Sequence, residues 1–296
     1  LNMNVVWAFA IAALPLAQVL RKFDPNLRQI TRVKMFTLMV GPYLWLSFFL
    51  YLPHKEERFM FVIYPLICVL GSISIILLEQ LFQAFIGTNR ITRTFFSKAP
   101  RYLLLIVVAL SVALSTSRTV SSHINYHAPI DVYTELSTKE FQSGLDDKIP
   151  ISGDINVCVG KEWYRFPSNF FMPNDRFKLQ YIESGFTGQL PQPYSPVNGT
   201  WITPSNFNAL NKQEMSRYIK PEECHYIVDL ELPHQEEKKY AADRENWEVV
   251  YSAPFLDAAN SPHPFYRAFW VPSISHRHNT FSPYLALKNK KLFSRS

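Results

Sequence analysis

Five consecutive ionisable side chains, His54, Lys55, Glu56, Glu57 and Arg58, separate two stretches, 35–53 and 59–78, that contain no charged residue. Each stretch comes to the roughly 20 apolar residues that span a bilayer. A water-soluble fold has no reason to sort its charge this way, so the five residues are expected at a membrane surface. Two cations, two carboxylates and an imidazole at headgroup depth suit a phosphate-bearing lipid. The bland alternative is an interfacial hairpin whose charges only anchor two helices, which needs one or two such residues.

Two further uncharged runs, 1–20 and 102–117, bring the expected spans to four, although the last is short for a crossing without Arg118 snorkelling at its end. Pro15 and Pro65 are placed inside helices, which a membrane bundle tolerates. No basic segment precedes the first run, so it does not read as a secretory signal. Residues 1–120 carry twelve Lys or Arg against four Asp or Glu, and residues 121–296 carry 18 against 20. The positive excess thus belongs to the apolar part, where it signals topology; no nucleic-acid partner is implied. Five basic residues in 21–34 and four in 90–101, against two beside His54, place the first two loops in the cytosol. The charged loop, and by alternation everything after residue 120, then faces the lumen or exterior.

That second region is long enough to bury a core. Short β-rich runs at 155–159, 177–182, 225–230, 247–251 and 269–271, with a possible helix at 161–171 interrupted by Pro167, predict a small α/β domain with a mixed sheet. Asn198-Gly199-Thr200 is an N-glycosylation sequon, and Cys158 and Cys224 are an even pair that an oxidising lumen would allow to bridge. Cys68, inside a span, reads as a small buried apolar residue. No Gly-x-Gly-x-x-Gly, P-loop, Gly-x-Ser-x-Gly or Cys-x-x-Cys motif is present, so nucleotide cofactors, serine hydrolysis and structural zinc are unsupported. Asp146-Asp147 reads as a solvated turn. His123 and His127, four apart, read as a polar turn rather than a metal site, and no metal is expected.

Pro53-His54-Lys55-Glu56-Glu57-Arg58-Phe59, followed by Phe61 and Tyr64-Pro65-Leu66, resembles the signature of the lipid-linked mannosyltransferases that use dolichyl-phosphate mannose. Tyr126-His127-Ala128-Pro129, the segment 158–168 and the segment 224–230 are similar to the α-1,2 branch of that family, which acts in N-glycan precursor assembly. The resemblance covers nearly the whole chain but only the C-terminal half of such an enzyme. Relatives that add α-1,6-mannose, or mannose to the glycosylphosphatidylinositol anchor, share the charged motif and stay open as alternatives. So does a membrane-anchored binding or scaffold protein of no enzymatic activity.

The resemblance implies a multi-pass, C-type glycosyltransferase of the endoplasmic reticulum membrane. Its partners would be membrane lipid, dolichyl-phosphate mannose as donor and a lipid-linked oligosaccharide as acceptor, with no cofactor. Residues 1–120 would form about four transmembrane helices with the luminal charged loop 54–59, and 121–296 a luminal α/β domain. Lys55 and Arg58 would neutralise the departing phosphate, Glu56 or Glu57 would hold those cations or a sugar hydroxyl, and His54 would donate to an oxyanion. The family's catalytic Asp belongs to a first luminal loop that nothing here matches, so this piece is expected to be inactive alone. Asp131 and Glu135, carboxylates soon after the fourth span, are the candidates for the base that this piece offers.

Overall fold

The computed structural model describes residues 4–22, 32–53, 57–85, 99–141, 153–164, 168–195, 197–203 and 207–294, which fall into two compact units, Leu1–Thr119 and Val120–Ser296. The first unit holds helices α1 (Asn4–Leu20), α2 (Arg32–Tyr51) and α3 (Tyr64–Phe85), and α4 (Ala99–Tyr126) begins there. Within α3, Tyr64–Leu81, and within α4, Arg101–Tyr126, are long and apolar enough to cross a membrane; Val5–Leu20 and Met39–Tyr51 are apolar but shorter.

Small residues decide how α1 meets α3. Ala10, Ala13, Ala17 and Leu20 recur at helical spacing and are buried, as are Ile63, Ile67, Leu70 and Leu77. A Cβ on Gly71 would come within 2.9 Å of Val6 Cγ1, so glycine permits the close approach. The buried Ser74 hydroxyl donates to the Phe9 carbonyl of the facing helix.

Pro15 has no N–H and leaves the Ile11 carbonyl without its helical donor. The Tyr43 hydroxyl of α2 lies 3.0 Å from the Ile11 and Ala10 carbonyl oxygens and accepts the Leu14 N–H at 3.0 Å. Pro65, expected inside a helix, lies in the first turn of α3, where a missing N–H costs nothing. A third proline, Pro42, is inside α2. The third apolar run is not helical from residue 59, because Glu57–Met60 forms a 3-10 turn ahead of α3. The fourth helix runs well past residue 117: Thr119 Oγ1 bonds back to the Ser115 carbonyl, and Ser121 and Asn125 both donate to the Arg267 carbonyl.

In the second unit β1 (Ile155–Val159), β2 (Phe177–Tyr181), β3 (Tyr226–Leu230), β4 (Trp247–Leu256) and β5 (Phe281–Asn289) form one sheet in the order β2-β1-β3-β5-β4. The β1 pairings with β2 and β3 are parallel, and those of β5 with β3 and β4 antiparallel. Alternate residues divide the core. Ile155, Val157, Tyr226, Val228, Tyr284 and Ala286 pack under α5 (Ala128–Glu135) through Ala128, Val132 and Tyr133, and Phe141 closes that layer against Phe177 at 4.6 Å. Ile227, Leu285 and Leu287 turn to the opposite face beside Cys158, Tyr240 and Trp247.

The expected strand at 269–271 is absent: Phe269 caps a short helix, Pro264–Ala268, and its N–H bonds to the Phe265 carbonyl at 2.8 Å. The fifth strand is instead Phe281–Asn289, with Pro283 at a position where β3 ends. There the Glu231 N–H still donates to the Pro283 carbonyl, at 3.2 Å, and only the reverse rung is lost. The possible helix at 161–171 is not formed among its described residues: 161–164 are turns and Ser168–Phe171 is 3-10.

Cys158 in β1 and Cys224, just ahead of β3, are joined in a disulfide with a Cα–Cα distance of 5.8 Å across 66 residues of sequence. The neighbouring register, Val157 against Tyr226, brings them together. Replacing both with alanine is expected to lower unfolding stability by about 4 kcal/mol, from the length of the loop released, read as a fall in the urea midpoint. In detergent, Tyr43→Phe should cost roughly 1–3 kcal/mol, because it strands a carbonyl in apolar surroundings; an unmoved melting temperature would dismiss that role.

Candidate functional site

The charged run leads from α2 into α3, and its far end is held by packing. Glu57 and Arg58 open the 3-10 turn, Met60 and Ile63 are buried against the helix group, and Phe61 and Val62 are exposed. The Ile63 N–H bonds to the Met60 carbonyl at 3.1 Å and the Ile67 N–H to the Ile63 carbonyl at 3.0 Å, so the turn feeds directly into α3. Phe61 and Tyr64 rings lie 5.7 Å apart at its rim. Three of the expected site residues, His54, Lys55 and Glu56, lie outside the described residues.

Asn198 lies exposed in a tight turn in which the Gly199 N–H bonds to the Ser195 carbonyl at 2.9 Å and Gly199 takes φ +53°, the left-handed conformation suited to glycine. Asp131 lies 2.6 Å from His127 Nδ1, and Glu135 lies 2.5 Å from Lys139, so both carboxylates have local partners. The His123 ring packs on that of His127 at 4.3 Å. Asp146 and Asp147 fall outside the described residues.

Sequence reasoning missed a charged cluster in the second unit. Lys161, two residues beyond β1, donates to Asp229 Oδ1 and to Glu237 Oε2, each at 2.9 Å, with the lysine side chain 13% and the aspartate 6% exposed. The second Glu237 oxygen accepts the Gly185 N–H at 3.0 Å. Burial pushes the Asp229 carboxyl up to about 6, against the pull of Lys161. Burial also opposes the charge on Lys161, yet Asp229 and Glu237 together hold its pKa above the ordinary lysine value. Tyr240 is pushed up to about 12, first by burial and then by Asp229. The signal was legible: Asp229 is the one charge in the otherwise apolar run Tyr226–Leu230.

The model of the Alg9-like mannosyltransferase family matches residues 1–173, more than half of the chain and including the charged loop. The chain belongs to that family. It is 38% identical to the α-1,2-mannosyltransferase ALG9 of Homo sapiens over 98% of its own length and 48% of that protein. It is 34% identical to the Schizosaccharomyces pombe enzyme of the same name over 93% and 47%, and 32% identical to that of Arabidopsis thaliana over 97% and 47%. The chain spans about half the length of the curated relatives it matches. No solved structure matches it.

Asp229 sets a pH dependence with a defined sign. Its folded pKa lies above the unfolded value of 3.8, so the folded state binds the proton more tightly, and its contribution is complete below that value. That contribution is lost as the pH rises through about 6. Between about pH 4 and pH 7 this one group lowers stability by on the order of 3 kcal/mol. Asp229→Asn should flatten the unfolding free energy over that window relative to wild type; identical slopes in chemical denaturation would refute the assignment.

Proposed function

We propose that this chain forms part of an α-1,2-mannosyltransferase that moves mannose from dolichyl-phosphate mannose to a lipid-linked oligosaccharide in the endoplasmic reticulum membrane. The observation that carries the reading is the Pro53–Phe59 run, five ionisable residues wide, held between apolar helices in a member of the Alg9-like family. Helix α4 supports the membrane setting: Leu105, Val108 and Val112 are exposed along an apolar helix, as a lipid-facing surface would be. On this reading the chain is multi-pass, with residues 1–120 as the membrane part and 121–296 as a luminal domain. The disulfide and an accessible Asn198 suit an oxidising, glycosylating compartment.

Chemically, the donor phosphate is both the activating and the leaving group, so the reaction calls for no nucleotide. Lys55 and Arg58 are assigned to the charge that grows on that phosphate as the sugar departs, Glu56 and Glu57 to holding those cations or a sugar hydroxyl, and His54 to a hydrogen bond to an oxyanion. Asp131 and Glu135, engaged by His127 and Lys139, are not assigned as the base. In a chain of the relatives' full length, Arg58→Glu should reduce labelled-mannose transfer roughly 100-fold with abundance and membrane insertion unchanged. Unaltered transfer would remove the loop from the chemistry.

A further inference from the structure

Strand β1 is flanked by β2 on one side and β3 on the other, both parallel to it, so the chain leaves the carboxyl ends of these strands in opposite directions. In open sheets with parallel strands, such a divergence opens a crevice where ligands bind. A cleft of about 570 Å³ occupies that place, bounded by the residues that follow β1 and β2 and by Asp229 near the end of β3. Its size falls within the roughly 300–1,000 Å³ of small-ligand sites.

The lining is balanced in charge. Lys161, Lys220 and Lys238 stand against Glu183, Asp229 and Glu237, which gives an anion or a cation no net attraction. Ile182, Met215, Tyr218 and Tyr240 supply apolar wall between these groups. Charges this well buried rarely improve stability over an apolar core of the same volume, so the Lys161 cluster asks for another reason to exist. Gly185 belongs to the same construction: a Cβ there would come within 2.6 Å of Glu237 Oε1, so the missing side chain lets that carboxylate settle on the backbone.

We infer that this cleft binds a neutral, hydroxyl-rich ligand, a single hexose unit, with Glu237 and Asp229 accepting from its hydroxyls, Lys161 donating, and Tyr218 and Met215 covering its C–H face. A phosphate or carboxylate ligand would meet three acids for three lysines and gain nothing from the site. The inference rests on the lining of this cleft and not on the transfer reaction, whose charged loop lies in the other unit.

Saturation-transfer NMR on the whole chain in detergent, with methyl α-mannopyranoside as probe and inorganic phosphate as competitor, tests it. Sugar binding should saturate, resist phosphate, and weaken about tenfold in Glu237→Gln, which removes a charged acceptor at nearly constant volume. Gly185→Ala provides a second variant: its methyl group meets only the tip of the Glu237 side chain, and it should weaken binding in the same way. Displacement by phosphate, unchanged affinity in both variants, or no binding tighter than roughly 10 mM would overturn the inference. Because transfer is read in a separate assay, failure here leaves that reading standing.

Discussion

A helix carbonyl that loses its backbone donor must find another, because an unmet one costs as much as a lost hydrogen bond. Pro15 removes such a donor inside α1, and the Tyr43 hydroxyl replaces it by reaching the Ile11 and Ala10 carbonyls from α2. Ser74 ties α3 to the Phe9 carbonyl of the same helix, while Gly71 and the alanines of α1 let the backbones come close enough for that bond to form. The three helices are therefore joined by polar atoms that apolar packing alone would not have placed. The turn after Arg58 depends on this group, since Met60 and Ile63 are seated in it.

The second unit solves a different problem, that of keeping charge inside a mixed sheet. One face is sealed by α5 and Phe141 in an apolar layer. The other carries Asp229 on the central strand and answers it with Lys161 from the β1 exit and Glu237 from a loop. The disulfide lies between these neighbours, fixing the start of β3 against β1, so the strands that present the charges cannot slip past each other.

The helices were legible because absence of charge is a strong signal. All four uncharged runs contain one, and the errors fall at their ends for local reasons. Residues 59–63 are apolar but fold as a 3-10 turn followed by a further turn, since Met60 and Ile63 are anchors rather than a continuous helical face. Beyond residue 117 the helix loses its apolar signal, yet hydroxyl and amide side chains at 119–125 bond within the helix or to the Arg267 carbonyl, which sequence spacing does not reveal. In the sheet, short β-rich runs located β1, β2, β3 and the first half of β4, whereas β5 was hidden by Pro283 and by Asn and Lys near its end. The charged loop was the plainest feature of the chain. The Lys161 cluster was less plain, because Lys161 lies far ahead of Asp229 and Glu237 in sequence and only the pairing of β1 with β3 brings it to them.

Strand β4 ends the sheet with ten residues, and no strand among the described residues pairs with its outer side. A long straight rim of free amides invites another chain to add itself there. The register shift between Val249 and Tyr251 bends the rim, and Pro254, exposed and opposite Pro283, offers no donor to a newcomer. The border is thereby made a poor template for aggregation by its own bend and proline.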